Sequence, residues 1–266
     1  MHMNSSQAIT NKAQQMLRRA WVNLGLPFDI PMVHEKKEGI IEVESLLLAT
    51  ILFMDHDRIA TDVPAWIARF QDLINHQKLK SMIQASPEKY RMAILESVKQ
   101  DSFQATPAPF RKIFGLPGHP PLNVVETVES RKGKLNSVDH VAQSSIMINN
   151  RLLYGTGFRA DLITIAQIRN HHLNGKRLSD LLCAADSTIS RILNDLKACR
   201  FINQEYEIVA HVDTFPGMFI SFHTLRNLYE ILDAEEFRSP ELKKAAYDNL
   251  DFRYDQFGRQ LLRGKM

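Results

Sequence analysis

Two apolar stripes at helical spacing, set on either side of three small residues, constrain the fold of this 266-residue chain more than any other feature. Leu178, Leu181 and Leu182 make the first stripe, and Ile189, Ile192, Leu193 and Leu196 the second, with Cys183-Ala184-Ala185 between them. A period of 3.6 residues puts each set on one face of a helix. The spacing therefore predicts a short helix, a tight turn and a longer helix, packed through those faces. Upstream, Leu162, Ile165, Ala166 and Ile168 give a third short amphipathic helix over Asp161 to His171, with a turn at Asn174-Gly175. Ala185 or Asp186 stands at the cap of the longer helix.

The side chains left on the outer face of that longer helix are Ser187, Thr188, Ser190, Arg191, Asn194 and Lys197. They suit a nucleic-acid groove. Ser and Thr bond phosphates or base edges, Arg makes a bidentate contact with guanine, and Asn does so with adenine. Lys176 and Arg177, just before the middle helix, are within reach of phosphate in such an arrangement. A helix N-terminus also offers free N–H groups to an anion. After Phe201-Ile202, strand-like Tyr206 to Val212, a turn at Thr214 to Gly217 and strand-like Met218 to Phe222 predict a β-hairpin.

Leu178-Ser-Asp-Leu-Leu182, the turn, and Asp186-Ser-Thr-Ile-Ser-Arg-Ile-Leu-Asn-Asp-Leu196 together resemble the winged helix-turn-helix regulators of the MarR-like and ArsR-like kinds. The stretch from Leu152 to Ile163 is similar to a lead-in before many such domains. Cys183 stands where a glycine is common in the turn, and Ala185 where a serine cap is common. The resemblance implies double-stranded DNA as the partner and transcription regulation as the role, often by a homodimer on a two-fold-related site. It implies neither metal nor cofactor, so none is expected.

The rest of the chain reads as helix. Ser6 to Leu24, Ile41 to Met54, Val63 to His76 and a helix opened by Ser86-Pro87-Glu88 give a helical N-terminal domain over 1–102. The second of these is apolar almost all round, which places it centrally in a bundle. Pro107, Pro109, Pro117, Pro120 and Pro121 then crowd one short span, which predicts a Pro-rich linker or extended crossing over 103–137. Helix resumes over Val138 to Leu153 and breaks at Gly155-Thr156-Gly157. The winged-helix domain is expected over 138–266, closed by helices over Thr224 to Leu232 and from Ser239 toward Leu262. The expected fold class is therefore mainly α, with a small hairpin wing.

Composition bounds the function. A net charge of +3 permits nucleic acid without requiring it. Two cysteines, Cys183 and Cys199, make no disulfide framework and no metal pair, which points to a reducing, cytoplasmic setting. The polar opening from Ser5 to Arg19 predicts no secretory signal, and the apolar run Leu46 to Met54 is too short for a membrane span. His171-His172, His34-Glu35 and Asp55-His56-Asp57-Arg58 lack further ligands at useful spacing, so they read as surface polar groups. There is no phosphate-cradling glycine loop, no nucleophile elbow and no zinc helix, and the expectation is a regulator rather than an enzyme. Its N-terminal domain is open to an effector, a second copy or a partner protein. The alternative from another class is an adaptor that uses the same helices to bind a partner protein.

Overall fold

In the structure, a computed structural model, the described residues are 5–27, 40–53, 58–99, 101–116, 118–168, 175–203, 219–220, 225–226, 228–230 and 233. They are mainly helical. Helices α1 (Ser5–Asn23), α2 (Val43–Phe53) and α3 (Arg58–Phe70) start the bundle. Ala13, Leu17 and Ala20 of α1, with Leu24 just beyond its end, follow one another at helical spacing and are all buried. In α2 every residue but Leu52 is buried, as an apolar central helix requires. Trp21 and Trp66 meet edge to face at 5.4 Å. Their indole N–H groups donate to Thr50 Oγ1 and to the Leu24 carbonyl, both at 2.7 Å, so α1, α2 and α3 are tied by hydrogen bonds within the apolar core.

A single 3₁₀ turn (Gln71–Leu73) leads to α4 (His76–Ala85), a helix the periodicity does not mark. Asn75 caps it by accepting from the Lys78 N–H. Ser86 closes α4 rather than opening α5 (Glu88–Ser97): its hydroxyl donates back to the Met82 carbonyl at 2.8 Å, and Pro87 takes the cap position of α5.

The span 103–137 differs from the extended crossing that its prolines suggest. Helices α6 (Asp101–Gln104), α7 (Ala108–Phe114) and α8 (Leu122–Lys132) occupy most of it. Pro107 and Pro121 stand at the caps of α7 and α8, and Pro109 lies in the first turn of α7, where a missing N–H leaves no bond unmade. Gly115 ends α7 with φ +65°, the left-handed geometry that glycine adopts without cost. Phe103, Phe110, Phe114, Val128 and Leu135 from this span join one core with α1 to α5.

Helix over 138–153 is interrupted. Ser145 is extended (φ −145°, ψ +118°) and fully buried, dividing α9 (Val138–Ser144) from α10 (Ile146–Tyr154). The three helices α11 (Phe158–Ile168), α12 (Gly175–Leu182) and α13 (Asp186–Ala198) follow and build a second core of their own.

The hairpin wing is not found among the described residues. The expected first strand, Tyr206 to Val212, and the turn at 214–217 lie outside them. Within the expected second strand, Phe219 and Ile220 form β2, which pairs in parallel with β1 (Ile40–Ile41), in the register Ile40 to Phe219 and Ile41 to Ile220. Beyond it, Leu225, Leu228 and Tyr229 are helical and pack into the first core. The chain after the second core thus returns to the N-terminal bundle. The helix expected from Ser239 lies outside the described residues.

A candidate nucleic-acid interface on a buried ionic framework

The second core is made by Leu162, Ile163, Ile165 and Ala166 of α11, Leu178 and Leu182 of α12, and Ile189, Ile192, Leu193 and Leu196 of α13. Both apolar stripes of the sequence contribute to it, with Leu181 half-buried against its edge. The α12–α13 turn is tight: the Ala184 N–H donates to the Ser179 carbonyl at 3.0 Å, and Cys183 takes φ +52°. That is the left-handed position where a glycine is common, and here it carries a side chain at a cost of roughly 1–2 kcal/mol. Ala185 caps α13 through its carbonyl alone, which accepts from the Thr188 and Ile189 N–H groups, with no side-chain cap.

All eight sequence-derived site residues are reachable from solvent. Lys176, Arg177, Ser187, Ser190, Arg191 and Asn194 are exposed, and Thr188 and Lys197 half-exposed. Ser187, Ser190, Arg191 and Asn194 stand at i, i+3, i+4 and i+7, so they form one stripe opposite the buried one. Over residues 175–200 five cationic side chains face three carboxylates. Two of those acids bear on the interface. Asp195 is held by Arg159 of α11 at 2.5 Å, and exposed Asp186 sits in the first turn of α13. Asp186 occupies the positive end of the helix dipole and would oppose an anion there. None of the large hydrophobic side chains exposed among the described residues lies on α12 or α13.

Beneath α11 lies a group of ionic side chains that spacing does not reveal. Glu42, Glu44, Lys78, Arg151 and Asp161 are all fully or almost fully buried. Arg151 of α10 spends all five of its N–H donors. It forks onto Glu44 (2.8 and 2.9 Å) and onto Asp161 (2.8 and 2.9 Å), and donates to the Leu73 carbonyl at 2.7 Å. The Lys78 ammonium bridges Asp161, at 2.7 Å, and Glu42. Glu44 also accepts the Asn75 N–H at 2.5 Å, and Glu42 accepts the Ser45 hydroxyl. Five buried charges from α4, α10, α11, α2 and the residue before it are thereby locked together.

The electrostatics follow from that closure. Burial pushes Glu42 above the ordinary carboxylate range, despite Lys78 beside it. Burial acts the same way on Asp161, but Arg151 and Lys78 outweigh it and hold its carboxyl down at about 2. Burial alone would depress Lys78, yet Asp161, Glu42 and Glu44 hold its ammonium above its usual value. With every group ionised the cluster carries one more carboxylate than cation. Its side chains are closed to substrate, and their physical role is to hold α11 against the bundle. The available signal was the presence of Glu44 in a helix with no solvent face and of Asp161 inside the apolar run Ala160 to Ala166.

Cys183 is half-buried against the first core rather than the second, and burial, aided by Glu42, pushes its thiol up to about 11. A thiol so disposed stays protonated and is a poor nucleophile. Cys199 is exposed, not a small core residue. Of the histidine runs, His34, Asp55 to Asp57 and His171-His172 lie outside the described residues. Among the described residues no cluster of histidine, cysteine and acidic side chains is suited to a metal ion, and no helix is long and apolar enough to cross a membrane. No family model, curated protein or solved structure matches this chain.

Proposed function

We propose that this chain is a DNA-binding transcription regulator that inserts α13 into the major groove of duplex DNA. The observation that carries the reading is the exposed stripe Ser187, Ser190, Arg191 and Asn194, set on a helix whose opposite face closes a three-helix core. Short hydroxyl side chains let a helix approach the groove floor, while Arg191 and Asn194 supply the two side-chain types that read guanine and adenine edges bidentately. Lys176 and Arg177 at the start of α12, and Lys197 at the end of α13, flank the stripe and suit phosphates on either side. A protein-binding adaptor would need an apolar surface in the same place. The polar character of α12 and α13, with four cations against three carboxylates and no exposed large hydrophobic side chain, favours DNA over a partner protein.

The reading includes a wing. A strand has two hydrogen-bonding edges, and Phe219–Ile220 spends one of them on Ile40–Ile41. The other edge is the one assigned to Tyr206–Val212 in the hairpin. A homodimer on a two-fold-related site belongs to the same reading, since a single short recognition helix contacts few base pairs.

The test is a salt titration of binding to random-sequence duplex DNA by the full chain and by Arg191→Ala. We expect affinity to fall steeply with salt, in proportion to the phosphates neutralised, and to weaken in the variant. A variant slope shallower by about one assigns Arg191 to a phosphate; an unchanged slope, with sequence preference lost when bound duplexes are selected from a random pool, assigns it to a base. Absence of binding at low salt by the folded protein would overturn the reading.

A further inference from the structure

A cleft of about 510 Å³ opens where three distant parts of the chain converge: the α4–α5 junction at Pro87, the end of α12 with its turn, and the helical segment around Tyr229. That volume is in the range of small-molecule sites. Its base includes Tyr229, whose ring stacks on Tyr90 at 4.4 Å and 12° and whose hydroxyl is held by Ser86 at 2.9 Å. This wall is rigid and partly apolar. The rim carries Asp180 from α12 and Glu230 from the C-terminal segment, both exposed and neither ion-paired among the described residues, with Arg226 as the single cation of the lining. Asp233, the third acid, is already engaged by the Tyr90 hydroxyl at 2.6 Å and by Lys89 at 3.8 Å. Cys183, half-buried, also lines the cleft.

We propose that this cleft binds a small organic cation, a molecule bearing one or more amine or guanidine groups, and that its occupancy adjusts the DNA-binding helix. Asp180 and Glu230 line the cleft from two different segments, so an ammonium bridging them would tie α12 to the C-terminal segment. Arg226 accommodates a carboxylate or hydroxyl elsewhere on the same molecule. The wall in question is the α12–α13 turn, and Ser187 of the recognition stripe lies four residues beyond Cys183. Binding and regulation are separable: the first stands on the cleft alone, and the second rests on the DNA reading given above.

Putrescine and agmatine serve as probes, against 1,4-butanediol and against sodium chloride at matched ionic strength, with the full chain throughout. Either amine, well above its dissociation constant, is expected to raise the melting temperature by several degrees over both controls. In Asp180→Asn/Glu230→Gln the rise is lost, while the unliganded melting temperature changes little because both side chains are exposed. No rise with either amine, or an equal rise in the double variant, overturns the site. The second arm repeats the DNA titration with and without the amine. A change of about fivefold or more in DNA affinity, seen in the wild type and absent from the double variant, supports the coupling. An equal change in both proteins reflects amine bound to the DNA and overturns the coupling. A melting shift in a protein that binds no DNA leaves the site standing and overturns the DNA reading instead.

Discussion

Arg151 and Arg191 are the same residue type in opposite settings, and the two regions around them behave oppositely. Around Arg151 every donor is matched by a carboxylate or carbonyl, and the side chains are buried. Around Arg191 the side chains are short, polar and open to solvent. Desolvating five charges costs several kcal/mol per ion, and only good geometry with every lone pair and proton satisfied offsets it. The buried region is therefore intolerant of losing one member and unavailable for recognition. The exposed region contributes little to folding and leaves its polar side chains open to solvent. The difference teaches that charge in this chain has two roles, orienting one core against the other and presenting a surface, and that burial divides them.

The largest effect that would sharpen this contrast is expected from Arg151→Met. It strands Glu44 as a buried carboxylate without a cation and leaves Asp161 with Lys78 alone, with a loss of about 3–5 kcal/mol in folding stability. Denaturant titration reads it directly. Arg191→Met in the same experiment should move by less than about 0.5 kcal/mol, as an exposed substitution does. Equal losses in the two variants would break the comparison.

Acid should dissect the buried side next. Asp161 has its folded pKa depressed to about 2, below the ordinary 3.8. Its contribution is thus fully present above pH 3.8 and disappears as pH falls from there through about 2. The size is on the order of 2 kcal/mol. Glu42 has the opposite sign. Its folded pKa is raised above 4.5, so its charged form weakens the fold, and protonation on falling from its raised value to 4.5 relieves that penalty. The stability of the wild type should accordingly gain on that of Glu42→Gln as pH is lowered over that window. A difference independent of pH would show that Glu42 is not held out of its ordinary range.

On the exposed side, Arg191→Ala should weaken duplex binding by about 10- to 100-fold at a preferred sequence. A change below twofold, with binding itself intact, would move recognition away from the α13 stripe. The smallest effect concerns the helix that carries the stripe. Ala185 caps α13 without a side-chain acceptor, so Ala185→Ser should add about 1 kcal/mol of stability by bonding a first-turn N–H. Thermal melting measures it, and a loss of stability would mean that the cap position is crowded in the folded chain.

Much of the second core was legible because its information is local. The stripe from Leu178 to Leu196 records which face each helix buries, and small residues at 183–185 mark where the chain must turn. The left-handed backbone at Cys183 was visible only as a residue standing where glycine is common. Local patterns misled where two structures share one composition. Prolines disfavour helix in general, yet Pro107, Pro109 and Pro121 sit at helix starts where the penalty vanishes. Ser145 divides a helix that reads as continuous, because a buried extended residue beside Ile41 is a tertiary demand, its hydroxyl accepting the Ile41 N–H at 3.4 Å.

What the sequence determined by itself is the helical character of the chain, the helix–turn–helix and the polar face of α13, since each follows from periodicity within a few turns of backbone. What only the tertiary structure decided is the union of the two cores. Glu44 and Arg151 are 107 residues apart, and Lys78 and Asp161 are 83 apart. No periodicity links such positions. A charge on a helix reads as solvated until packing removes its water, and the partner that then compensates it is supplied by whichever element the fold brings alongside.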